Sequence, residues 1–147
     1  MTDFEHLKEN FAENKAEPIG DWIFKADISP PLFGKKEFSA TEYICQSLSP
    51  HSFSIIGRAM SGAKFLSIVL PLNSPKTKTE YEIGKAHPNG ARASLALTSE
   101  IKSAISGKVS VKQTEDIVDA DFVFIIKHEG NEHTVKGRIH VKPTAIS

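Results

Sequence analysis

The stretch SGKVSVKQTEDIVDADFVFIIKHEGNEHTVKGRIHVK, residues 106–142, decides the fold class, because its apolar residues return at alternate positions. Val109 and Val111, then Ala120, Phe122, Phe124 and Ile126, then Val135, Ile139 and Val141 follow the spacing of strands that bury one face. With a loop at Thr114 to Ile117, Val111 lies opposite Ala120, Val109 opposite Phe122 and Gly107 opposite Phe124. A two-residue turn at Gly130-Asn131 would place His128 opposite His133, Ile126 opposite Val135, Phe124 opposite Gly137, Phe122 opposite Ile139 and Ala120 opposite Val141. Each arrangement makes one apolar face, and a slip of one residue destroys it. Gly107 and Gly137 then flank Phe124 and leave its ring room to lie across the sheet.

The alternation continues outside this stretch. Trp22, Phe24, Ala26 and Ile28 share one side of a first strand, and Pro30-Pro31 with Gly34 break the chain before an extended segment at about 37–48. Further segments are expected at about 53–59, 64–70, 79–83 and 91–98. If Ser61-Gly62 is a turn, Phe53 faces Leu70, Ile55 faces Ile68 and Gly57 faces Leu66. Near the N-terminus the period changes. Thr2 and Glu5 form a capping box, and Phe4, Leu7 and Phe11 recur at helical spacing, which predicts one amphipathic helix at about 3–14. The expectation is a single all-β domain over 1–147, with its β region at about 20–143. It is an antiparallel β-sandwich or flattened up-and-down barrel of about eight to nine strands, plus the short N-terminal helix.

Composition narrows the function classes. Lys plus Arg and Asp plus Glu both number 18 in 147 residues, so no net field draws the chain onto nucleic acid. The longest dense apolar run, Phe65 to Leu70, is far short of the roughly 20 residues of a membrane-spanning helix. Acidic Asp3 and Glu5 stand where a secretory leader needs basic residues, and Cys45 is the single cysteine. A cytoplasmic location is therefore expected.

Chemical constellations are sparse. His128 and His133 form the weak candidate for a metal, with Glu129 and Glu132 adjacent, but a third ligand is missing because His140 lies on the other side of its strand. Glu115, Asp116, Asp119 and Asp121 are the densest acidic cluster, and their spacing is not that of a calcium loop. The expected register pairs them instead, with Asp119 between Lys112 and Lys142, and Asp121 between Ser110 and His140. Gly-x-Ser-x-Gly and the phosphate-cradling glycine patterns are absent, and Cys45 has no positive neighbour, so catalytic residues and cofactors are expected to be none. The outward face collects Lys108, Lys136 and Arg138 around Val123 and Ile125, a basic and apolar surface suited to a protein partner or a small amphiphile.

Two resemblances add to this reading. Phe38-Ser39-Ala40, Ser67 to Pro71, Tyr81 to Gly84, Ser106 to Val111 and Ala120 to Phe124 resemble small bacterial β-sandwich domains of unknown function, which implies a fold and no activity. Gly20-Asp21-Trp22 at the start of the first strand resembles the Gly-x-Trp signature of the lipocalin family. That likeness implies a barrel cavity for a small apolar ligand, with Trp22, Phe122 and Phe124 lining or closing it and Arg138 over Trp22. The leading expectation is a non-enzymatic interaction or ligand-binding module. A lipocalin-like binder is the alternative, and an enzyme with a site assembled from distant strands is the second.

Overall fold

The computed structural model describes residues 16–49, 52–59, 64–71, 79–84, 90–97, 100–114 and 116–144. Their strands are β1 (Glu17–Pro18), β2 (Ile23–Leu32), β3 (Lys35–Ser39), β4 (Glu42–Ser49), β5 (Ser52–Arg58), β6 (Phe65–Leu70), β7 (Thr79–Ile83), β8 (Arg92–Ala96), β9 (Ile101–Ser103), β10 (Ser106–Thr114), β11 (Ile117–His128) and β12 (Asn131–Val141). They form two antiparallel six-stranded sheets: the first in the order β1-β4-β5-β6-β8-β9, the second in the order β3-β2-β12-β11-β10-β7. The predicted helix at 3–14 lies outside the described residues. No helix among the described residues is long and apolar enough to cross a membrane.

The architecture is sandwich-like, and the strand order is not the sequential one of an up-and-down barrel, since β2 pairs with β12 and β10 with β7. The described strands number twelve rather than eight or nine, for two reasons. The segment expected at 37–48 is two strands. Between them the chain passes from one sheet to the other, with the Ala40 N–H donating to the Phe24 carbonyl and the Thr41 N–H to the Arg58 carbonyl. In addition, β1 and β9 are too short, at 2 and 3 residues, to leave a periodic signal. Nor do Pro30 and Pro31 end β2. They sit where the β3 register is interrupted between Asp27 and Leu32, beyond the last β12 pair at Ser29, so no ladder donor is lost.

The registers expected for β5–β6 and β10–β11 are those observed, while residues 60–63, with the Ser61-Gly62 turn, lie outside the described residues. The β11–β12 hairpin differs by two. Its turn is Glu129-Gly130, both in the left-handed region (φ 51° and 82°), so His128 faces Asn131 and His133 faces Ile126. Alternation fixes which face is buried and is blind to a slip of two. Packing distinguishes the registers: Gly107 faces Phe124 and Gly137 faces Phe122, one glycine for each ring. The rings stack with centroids 5.8 Å apart.

Between the sheets lie Phe24, Phe38, Tyr43, Ile55, Ile68, Leu95, Phe122, Phe124 and Ile139, all buried. The two outward faces contrast sharply. On the second sheet Lys25, Asp27, Lys108, Asp121, Val123, Lys136 and Arg138 are exposed, whereas on the first Ile44, Gln46, Ser54, Ile56, Phe65, Ser67 and Ala96 are all buried.

Candidate functional site

The outward face of the second sheet is built in rungs that cross all its strands. One rung runs Glu82, Lys108, Val123, Lys136, Asp27, Glu37 from β7 to β3, and the next runs Glu80, Ser110, Asp121, Arg138, Lys25, Ser39. The cations expected from the sequence are there, and acids from β2, β3 and β7 match them. Lys108 Nζ lies 3.8 Å from Glu80 Oε1 and 3.9 Å from Glu82 Oε1, all three side chains well exposed and so weakly coupled. Val123, 37% exposed, is the apolar centre between Lys108 and Lys136. Ile125 is half-buried one rung along, between Ser106 and Thr134. The register shift also reassigns the acids: Asp119 lies between Lys112 and His140, and Asp121 between Ser110 and Arg138. Arg138 Nε and His140 Nδ1 approach Asp119 Oδ1 to 3.4 and 3.5 Å.

The interior candidates separate. Phe122 and Phe124 point between the sheets as packed core, joined there by the edge-to-face pair Phe24 and Phe38 at 6.2 Å. Trp22 precedes β2, half-buried against the core, and its ring neighbour is the imidazole of His140 at 6.1 Å. The Arg138 guanidinium, assigned to Trp22 by the lipocalin resemblance, is instead engaged by Asp119.

His128 and His133 are not directly opposite one another. His133 is buried, and its Nδ1 donates to the Pro30 carbonyl oxygen at 2.8 Å. His128 stacks edge-on against Phe33, centroids 4.7 Å apart. No group of three or more His, Cys, Asp or Glu among the described residues is placed to hold a metal ion. Phe33 was missed from the sequence. It is 43% exposed and takes a left-handed conformation (φ 52°) before Gly34, unusual for a bulky residue, and the Phe-Gly turn was the available signal.

Cys45 is wholly buried in β4, and burial pushes its thiol well above the ordinary range. Its backbone is clamped by the C-terminal segment: the Thr144 N–H donates to the Cys45 carbonyl at 2.9 Å, and the Cys45 N–H to Thr144 Oγ1 at 3.2 Å. Tyr43 donates its hydroxyl to the Lys142 carbonyl at 2.7 Å. Burial, with smaller effects from Cys45 and Glu17, raises the phenol from 10.0 to about 12.

Both groups favour the protonated fold, while the unfolded chain ionises first as pH rises. Their contribution is therefore complete below the unfolded thiol value of 9.0 and is lost above it, the Tyr43 part between 10.0 and about 12. Urea midpoints should fall between about pH 8 and pH 10, and Cys45→Ala should flatten that slope by about 1 kcal/mol per pH unit above the thiol value.

No protein-family model, curated protein or solved structure matches this chain.

Proposed function

We propose that the protein is a non-enzymatic binding module whose outward second-sheet face engages a protein partner. The observation that carries this reading is the rung Glu82, Lys108, Val123, Lys136, Asp27, Glu37, in which an exposed apolar centre stands between two cations, themselves bounded by acids. At strand spacing this rung is about 24 Å wide. Such a surface fits a protein that presents an apolar residue between carboxylates, whereas a small ligand calls for a concave site. The sheet edges are less suited to adding a strand. β1 and β9 are very short, and β3 and β7 carry Lys35, Lys36 and Glu37 or Glu80 and Glu82. The interior reading competes for space already taken by the Phe122–Phe124 stack and the Phe24–Phe38 contact.

The test starts from proteins that the full chain retains from extract at low salt, with affinities then measured by titration. For the true partner, Lys108→Glu with Lys136→Glu should weaken Kd at least about tenfold, and wild-type Kd should weaken as salt is raised. Lys108→Glu sets an acid beside Glu80 and Glu82 and Lys136→Glu sets one opposite Asp27, so the variant should lose about 1 kcal/mol of stability at these exposed positions and stay folded. If every retained protein binds the double variant with unchanged Kd, the face is not the interface.

A further inference from the structure

Asp119 offers one oxygen to two donors. Arg138 Nε and His140 Nδ1 approach the same Oδ1, at 3.4 and 3.5 Å. Both distances exceed the roughly 2.7–2.9 Å of a full charge-assisted hydrogen bond, so neither donor holds the carboxylate firmly. Register accounts for the contest. His140 lies directly opposite Asp119, while Arg138 lies opposite Asp121 and reaches Asp119 across the diagonal. The His140 Nδ1 is shielded from solvent and has no hydrogen-bond partner among the described residues, so a proton placed there has Asp119 as its acceptor.

The charges around this imidazole come from four strands. Asp119 and Asp121 stand on β11, and Lys112 lies opposite Asp119 on β10. Arg138 precedes His140 by two residues on β12, and Lys142 follows it just past the strand end. On β2, Lys25 lies opposite Arg138, and the exposed Asp21 comes just before that strand. Of these side-chain types only imidazole changes charge between about pH 5 and 8. Arg138 is exposed and stands two residues from Lys136 on the same side of β12, within the face assigned to the partner.

We infer that protonation of His140 draws Asp119 off Arg138, and that the released guanidinium strengthens the hold of the second-sheet face on a partner's carboxylate. This regulation rests on the partner reading above. Asp119, Arg138 and His140 are all partly exposed, so the effect is modest, about threefold in Kd between about pH 7.5 and pH 5.5.

Two readouts in the full-length protein test it, and the first needs no partner. Trp22 is the single tryptophan and its ring lies 6.1 Å from the imidazole, so its emission should fall as His140 becomes an imidazolium, which quenches indole. The Arg138 Nε–H resonance should shift with the same midpoint, and both changes should vanish in His140→Gln. Flat emission, or an Arg138 resonance that stays put or shifts equally in His140→Gln, would overturn the exchange at Asp119.

The second readout is Kd for a partner retained by the protein. Wild type should bind about threefold tighter at about pH 5.5 than at about pH 7.5. His140→Gln should keep the weaker affinity at both, and Asp119→Asn, which frees Arg138 at any pH, should keep the tighter one. A wild-type Kd that does not change with pH, or the same change in all three proteins, would overturn the link to binding. Lys108→Glu with Lys136→Glu decides separately whether this face is the interface, and the first readout decides the exchange at Asp119 whichever way that falls.

Discussion

Gly137→Ala should destabilise the protein by about 3 kcal/mol or more, a large share of the roughly 5–15 kcal/mol that holds a typical domain together. Gly137 lies on β12, between β2 and β11. A methyl group there would fall inside hard-sphere contact of the Lys25 carbonyl oxygen, and within 2.8 Å of the Ala26 Cα and 2.6 Å of the Phe122 ring. Two of these three obstacles are backbone, so relief requires β2 and β12 to part and lose ladder hydrogen bonds. Gly57→Ala offers the comparison. Its methyl would meet the Phe24 ring at 2.7 Å and the Ala40 methyl at 2.9 Å, and side chains yield more easily than backbone. Urea unfolding at constant slope should therefore show a clearly lower midpoint for Gly137→Ala than for Gly57→Ala. A Gly137→Ala midpoint close to wild type would mean that β2 and β12 do not pair in this register.

Phe124→Ala should lose about 3–5 kcal/mol. The ring is wholly buried and stacked on Phe122. Its cross-strand neighbours are Gly107, which has no side chain to move into the gap, and Val135. The cavity therefore stays open. One residue earlier, Val123 lies on the opposite face and is 37% exposed, so Val123→Ala should change stability by no more than about 0.5 kcal/mol. Similar losses at the two positions would contradict the inward and outward assignment on which the proposed binding face depends.

Much of this was legible in the chain because alternation is a local signal. Val109, Val111, Ala120, Phe122 and Phe124 announce their face and their hairpin partners within a few residues of sequence. The β11–β12 turn was misplaced because a two-residue slip preserves that alternation, and only the fit of Gly137 against Phe122 distinguishes the registers. The bend at Ala40 and Thr41 escaped because extended chain turns a corner without a glycine or proline to mark it.

At the candidate site, Lys108, Val123, Lys136 and Arg138 were placed together correctly because they come from consecutive strands. Asp27, Glu37, Glu80 and Glu82 were not, since they join through the β12–β2 and β10–β7 pairings of strands far apart in sequence. A further signal was present and went unread. Ile55-Ile56 and Phe65-Leu66 place an apolar residue on each face in turn, the mark of strands covered on both faces.

The contrast between the exposed Val123 and the buried Ile44 and Ile56 underlies the choice of the second sheet's outward face as the binding surface, and the most direct test is methyl relaxation by a neutral, soluble paramagnetic agent in the full-length protein. The Val123 methyls should relax strongly, whereas those of Ile44 and Ile56 should be as protected as the core methyls of Ile55 and Ile68. If Ile44 and Ile56 relaxed as fast as Val123, the first sheet would be open to solvent and the account of a covered face and a free face would be wrong.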